Sequence, residues 1–122
     1  MRKKDFRGAK CVKRYIEKCE DVCKTYSPLQ YDFTDLLNES EDIISFRCNV
    51  LLEGLAEGEY TSDIVATKQD GNLMVRECVD RNKLTRPLTA KMLDMSRDYW
   101  KLHGIIDWGI VIEKEGAADE EG

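Results

Sequence analysis

Glu41-Asp42-Ile43-Ile44-Ser45-Phe46-Arg47-Cys48-Asn49-Val50-Leu51-Leu52-Glu53-Gly54-Leu55 is the stretch on which the fold turns. Ile43, Ile44, Cys48, Leu51, Leu52 and Leu55 trace one side of a helical wheel, and Asn38-Glu39-Ser40-Glu41 places a capping residue ahead of them with an acid three positions on. These two features predict an amphipathic helix, weakened at Gly54 and ended at Gly58.

On the N-terminal side, Cys11 or Val12, Tyr15 or Ile16, Cys19, Val22 or Cys23, and Tyr26 recur every three or four residues, which predicts another helix over 9–26. Ser27-Pro28 ends it, because proline disfavours helical geometry at the residue before it, and the same pair caps a short helix over 29–37. On the C-terminal side the period changes. Ile64-Val65-Ala66-Thr67 and Leu73-Met74-Val75 flank Asp70-Gly71, so a hairpin with a type I′ turn is expected over 63–79. Leu84, Leu88, Met92, Met95, Tyr99, Leu102 and Ile106 then mark a last helix, with Thr85 as its cap, Pro87 in its first turn and Gly104 at its end. Ile105 to Ile112 reads as a short strand.

The resulting fold class is α+β and mostly helical: a small bundle of three to four helices with one β-hairpin and a C-terminal strand. A chain of 122 residues suffices for one core and not for two domains. The expected organisation is one globular domain over 1–112 with a basic leader at 1–8, followed by an acidic, disordered tail over 113–122. No apolar run of signal-peptide or membrane-span length follows the charged N-terminus, so a cytoplasmic protein with no membrane contact is expected. In that setting Cys11, Cys19, Cys23, Cys48 and Cys78 read as free thiols.

The net charge of -5 conceals strong segregation. Residues 1–14 carry +6, 31–63 carry -8, 68–103 carry +3 and 113–122 carry -4. Phosphate contacts need several cations on one surface, which singles out Arg2, Lys3, Lys4, Arg7, Lys10, Lys13 and Arg14 as candidate nucleic-acid-binding residues. The bland alternative is a solvated leader and helix face. Leu88, Met92, Met95, Tyr99 and Leu102, with Trp108, are the candidate partner-binding residues. Their near-heptad spacing fits packing inside a bundle or along a second subunit, and tryptophan is enriched at interaction hot spots.

No catalytic, cofactor or metal site is expected. Cys19 and Cys23 stand four apart, but only His103 and no second Cys-x-x-Cys pair could complete a zinc site, so they read as buried thiols. His103, the single histidine, sits where it would cap the last helix. Asp32, Asp35, Glu39, Glu41 and Asp42 fall at helix starts rather than in apolar pockets. Gly54, Gly58 and Gly71 match no phosphate-binding loop.

The order of a helix over 41–57, a break at Gly58-Glu59-Tyr60, the hairpin around Lys68-Gln69-Asp70-Gly71-Asn72, and Asn82 and Pro87 opening a helix to His103 resembles phage small terminase subunits. The resemblance covers about half the chain and departs from the family after His103, where Gly104-Ile105-Ile106-Asp107 replaces a leucine-glycine-leucine-threonine-proline stretch. It implies a non-enzymatic DNA-packaging factor that forms a homo-oligomer, binds DNA through 2–14 and docks a larger motor subunit through 108–121. The competing reading is a small acidic protein-binding module, a phage-encoded inhibitor or regulator, that presents 31–63 to the basic groove of a partner.

Overall fold

The computed structural model describes residues 11–54 and 60–113. Its elements in chain order are β1 (Val12–Arg14), β2 (Cys23–Thr25), α1 (Pro28–Glu39), β3 (Ile43–Leu51), β4 (Thr61–Lys68), β5 (Leu73–Cys78), a 3-10 turn (Arg81–Lys83), α2 (Pro87–Leu102) and β6 (Trp108–Val111). The expected bundle of three to four helices does not form: the described residues hold two α-helices and six strands, an α+β fold built on a sheet.

The deciding stretch is a strand. Ile43, Ile44, Phe46 and Val50 are β-branched or aromatic and favour the pleated surface. Their helix-like spacing has a different origin. A register shift between Ile43 and Ser45 puts the buried Ile43 and Phe46 three residues apart on one face. Further on, Asn49 takes a left-handed φ of 57° and reverses the facing of the strand. Cys48 therefore packs with Ile64 and Phe46, whereas Val50 and Leu52 pack with Tyr60 and Trp100 on the opposite side. Two irregularities in a strand thus imitate a helical period.

Over its described residues, 11–26, the helix expected over 9–26 fails for a related reason. Val12, Tyr15, Ile16, Val22, Thr25 and Tyr26 lose side-chain freedom in a helix. Residues 12–14 and 23–25 pair instead as a small antiparallel ribbon. The loop between them runs along the outer edge of β3, where Phe46 N–H donates to the Lys18 carbonyl at 2.9 Å and Glu20 N–H to the Phe46 carbonyl at 3.0 Å. That contact covers a sheet edge that would otherwise be open to pairing.

The main sheet has the order β3-β4-β5-β6. β3, β4 and β5 are antiparallel neighbours, and β6 lies parallel to β5 with Val75 opposite Trp108. A parallel pair needs a crossover, and α2 provides it. β4 is buried along most of its length because both faces of the sheet are covered. On one face α1 and the β1–β2 ribbon enclose Cys23, Leu37, Ile43, Phe46, Ile64 and Ala66. On the other, α2 lays Trp100, Met92, Met95 and Tyr99 over Leu52, Tyr60, Val65 and Val75.

The Ser27-Pro28, Pro87 and Gly104 signals of the helices hold, whereas Thr85 does not cap α2: Arg86 is the residue before its first turn and no side chain caps it. Ser27 caps α1 by accepting from Gln30 N–H at 3.1 Å, with Pro28 in the first turn. Pro87 opens α2. Gly104, at φ 83°, closes it: Gly104 N–H donates to the Lys101 carbonyl and Ile105 N–H to the Trp100 carbonyl, satisfying the terminal carbonyls as a Schellman pair. The hairpin turn is closed by Gly71 N–H on the Lys68 carbonyl at 2.9 Å. Only Gly71 takes a positive φ, so the turn is followed by one left-handed residue and is not the type I′ form expected.

Asp107 anchors the start of β6. Its carboxylate meets Lys68 Nζ at 2.7 Å and Arg76 Nη2 at 2.8 Å. The hydrogen bond from Lys68, opposed by burial and helped by Arg76, holds its acid constant below the usual carboxylate value of 3.8. A lowered folded-state value means the ion pairs stabilise the fold above pH 3.8 and lose that contribution as pH falls through the lower folded value. Asp107→Asn is accordingly expected to lower the Tm at pH 7 by a few degrees, because a partly exposed bridge is a small contribution. In thermal melts across pH, the difference between the proteins should begin to shrink below pH 3.8 and close once the pH lies beneath the lower folded value; a difference that persists beneath that value would assign the loss to packing.

Candidate functional site

A pocket of about 350 Å³ opens where the start of α1, the start of β4, the end of β5 and the first half of α2 meet. Tyr26, Gln30, Tyr60, Asp63, Lys83, Arg86 and Met92 are among its walls. Each element delivers its part for a local reason. The Ser27 cap fixes where α1 begins and sets Gln30 one turn inside. Pro87 fixes the start of α2 and leaves Arg86 as its N-terminal flanking residue, with no side chain capping the helix. The positive end of the α2 dipole therefore faces the same mouth as the exposed cations Lys83 and Arg86.

Asp63 lines the same pocket as these cations, and Glu77 on the adjacent strand is bonded to it. Asp63 of β4 is 5% exposed and Glu77 of β5 is fully buried. Asp63 Oδ2 accepts from Cys78 N–H at 2.7 Å, and Glu77 Oε1 accepts from Asp63 N–H at 3.0 Å. Glu77 Oε2 accepts from the Ser96 hydroxyl at 2.6 Å. Ser96 Oγ in turn accepts from Trp108 Nε1 at 3.0 Å, while Ser62 Oγ accepts from Trp100 Nε1 at 2.9 Å. Buried polar groups are costly unless bonded, and here each supports the next. On the other side of Asp63, Gln30 Nε2 donates to the Asp63 carbonyl at 3.3 Å and to Asn49 Oδ1 at 3.1 Å, and Asn49 Nδ2 donates to the Lys24 carbonyl at 2.8 Å. The kink in β3 at Asn49 and the position of Asp63 are parts of one bonded frame.

The residues singled out in the sequence have diverse surroundings. Arg2, Lys3, Lys4, Arg7 and Lys10 lie outside the described residues, as do 114–122. Lys13 is exposed on β1. Arg14 is engaged within the fold: Nη1 bonds Asp35 at 2.8 Å, Nη2 bonds the Thr34 hydroxyl at 2.6 Å, and the guanidinium stacks 3.5 Å over the Tyr31 ring. Met92, Met95 and Tyr99 pack onto the chain's own sheet. Leu88 and Leu102 are 60% and 87% exposed and lie outside that stripe. Trp108 is half-buried in β6 with its indole nitrogen on Ser96. His103 stands at the C-terminal cap of α2, donating from Nδ1 to the Tyr99 carbonyl at 2.8 Å. Glu113, assigned above to the tail, accepts from Arg81 N–H at 2.6 Å.

Cys19 and Cys23 do come together, but through the β1–β2 ribbon and not along a helix, and Cys48 of β3 joins them. The thiol of Cys48 hydrogen-bonds to Cys23, which pulls the Cys23 acid constant down against burial and raises that of Cys48. Burial is the main cause that raises Cys19.

The sequence does not single out Asp63 and Glu77 as site residues, and it places Cys48 only in an expected helical stripe and among the free thiols. The one pointer to the carboxylates was their place in β-forming runs, where an acid next to apolar neighbours must be satisfied internally. No protein-family model matches the chain and no curated protein matches it, so the pocket is read through its own chemistry.

Proposed function

We propose that the protein binds a nucleic-acid backbone at the pocket before α2. The observation that supports this reading is the pairing of Lys83 and Arg86 with an N-terminal helix end free of any capping side chain, at the lip of a concave site. Helix N-termini and flanking cations are complementary to phosphate. The DNA-binding expectation is kept, and its centre moves from 2–14 to the 83–91 surface, where Lys91 is also exposed. A role in DNA packaging is a narrower form of the same proposal and requires a homo-oligomer, which light-scattering mass would register. No described helix is long and apolar enough to cross a membrane.

The double variant Lys83→Ala/Arg86→Ala is expected to weaken duplex binding about tenfold at low salt and to reduce the salt slope by about one for each lost phosphate contact. Fluorescence anisotropy across a salt series reads both quantities. Unchanged affinity and slope would sink the reading and favour capture of a partner protein by the acidic segment.

A second reading is favoured by the buried carboxylate pair. Asp63 lines the pocket with Glu77 bonded to it, and a carboxylate in the same pocket as a phosphate site is a ligand for a divalent cation that could activate water or stabilise a leaving oxygen. In this reading the bound backbone is also cut. Incubating supercoiled plasmid with Mg²⁺ or Mn²⁺ tests it: nicking that Asp63→Asn abolishes supports hydrolysis, and binding without nicking restricts the protein to recognition.

A further inference from the structure

We infer that Cys19, Cys23 and Cys48 form a binding site for one thiophilic closed-shell cation of the zinc or cuprous class, at the junction of the β1–β2 ribbon with the main sheet. The three sulfurs come from separate pieces of the fold: the loop between β1 and β2, β2 itself, and β3. All lie within 4.8 Å of one another, and Cys23 Sγ and Cys48 Sγ are 3.9 Å apart. Three sulfurs at the corners of a triangle with 3.9 Å sides lie about 2.3 Å from its centre, which is the zinc–sulfur bond length. At the upper limit of 4.8 Å the same distance is about 2.8 Å, so small side-chain movements close the site.

The backbone holds the three positions independently of any ion. Cys19 N–H donates to the Ile16 carbonyl at 3.0 Å, and residue 19 bridges to Phe46. Cys23 and Cys48 sit in strands whose own pairings fix them. The donor set selects the ligand class: thiolates are soft and favour zinc or copper(I) over magnesium or calcium. Cys23 is buried and Cys19 and Cys48 are half-buried residues, so the three thiols sit at the inner side of the ribbon junction. On binding, each thiol releases its proton to solvent as its sulfur takes the cation, and no oxidant or reductant is needed. A bound ion would join the ribbon to β3, across the edge that Lys18 and Glu20 already cover.

The test uses the full chain, reduced and metal-free under anaerobic conditions, titrated with Cd²⁺ alone as a spectroscopic probe and then with Zn²⁺. The expected result is one equivalent of Cd²⁺ taken up with sulfur-to-metal charge-transfer absorption, protection of three of the five thiols from alkylation, and a Tm that rises with ion concentration. Cys19→Ser and Cys48→Ser, each changing a half-buried residue, should each weaken uptake at least tenfold. Cys11→Ser and Cys78→Ser should leave it unchanged. Absence of charge-transfer absorption, protection of two thiols only, or uptake that depends on Cys11 or Cys78 would overturn the site. If the serine variants are unfolded by circular dichroism, the alkylation count on the unmodified chain decides alone.

Discussion

Glu77→Ala is expected to cost about 3 kcal/mol, read as a fall in the urea midpoint at constant slope. The side chain is fully buried in β5 and accepts from Asp63 N–H and from the Ser96 hydroxyl. Truncation takes both acceptors away at once and leaves a cavity under α2. Ser96 has an alternative in Ser62, 3.3 Å away, but the amide of Asp63 is fixed by the strand. Glu77→Gln keeps one carbonyl oxygen for Asp63 and presents an amide that Ser96 can accept from, so it should cost only about 1 kcal/mol. The contrast between the two variants is the informative quantity. A protein that tolerates Glu77→Ala without loss would show that the carboxylate is held against the stability of the fold, as functional acids are, and would strengthen the hydrolytic reading of Asp63.

Phe46→Ala should be at least as damaging, at about 3–5 kcal/mol, because a fully buried phenylalanine loses its transfer energy and leaves a void that strands cannot readily collapse. Set against a domain stability of about 5–15 kcal/mol, that loss is enough to populate the unfolded state at moderate temperature. The companion variant is Leu51→Ala. Leu51 belongs to the stripe expected of a helix over 41–55, yet it is 45% exposed in β3, so its truncation should cost less than about 1 kcal/mol. Phe46, absent from that stripe, is fully buried. Equal losses at the two positions in chemical denaturation would contradict the strand and its register.

These two residues show how a local reading went astray. The helix expected over 41–55 rested on spacing alone, and spacing is ambiguous once a strand contains a bulge and a reversed residue. The bulge between Ile43 and Ser45 converts a period of two into a step of three, and Asn49 at φ 57° shifts the face again. Composition pointed the other way: two adjacent isoleucines, a phenylalanine and a valine are more at home in a pleated sheet. In 11–26 the apolar positions are likewise buried or half-buried in part, but by the ribbon and its loop against β3, while Tyr15 is exposed.

The candidate site was even less legible. Arg14 stood in a basic run and looked available to phosphate, whereas Asp35, Thr34 and the Tyr31 ring claim it. Lys83 and Arg86 gained weight only when the first turn of α2 was seen to border a pocket. Cys19 and Cys23 invited comparison as a pair, and the third thiol lies 25 residues beyond Cys23 in a segment expected to be helical.

The sequence by itself determined the features that neighbouring residues decide: the Ser27-Pro28 start of α1, the hairpin turn at Gly71, the Pro87 start and Gly104 end of α2, and the segregation of charge. Caps and turns depend on backbone groups a few residues apart, so their chemistry is written locally. Only the tertiary structure decided that 43–51 is a strand, that β6 returns parallel to β5, and that Asp63, Glu77 and the three thiols meet their partners. Those outcomes depend on which face is buried against which, a balance of long-range burial that no short window of residues contains.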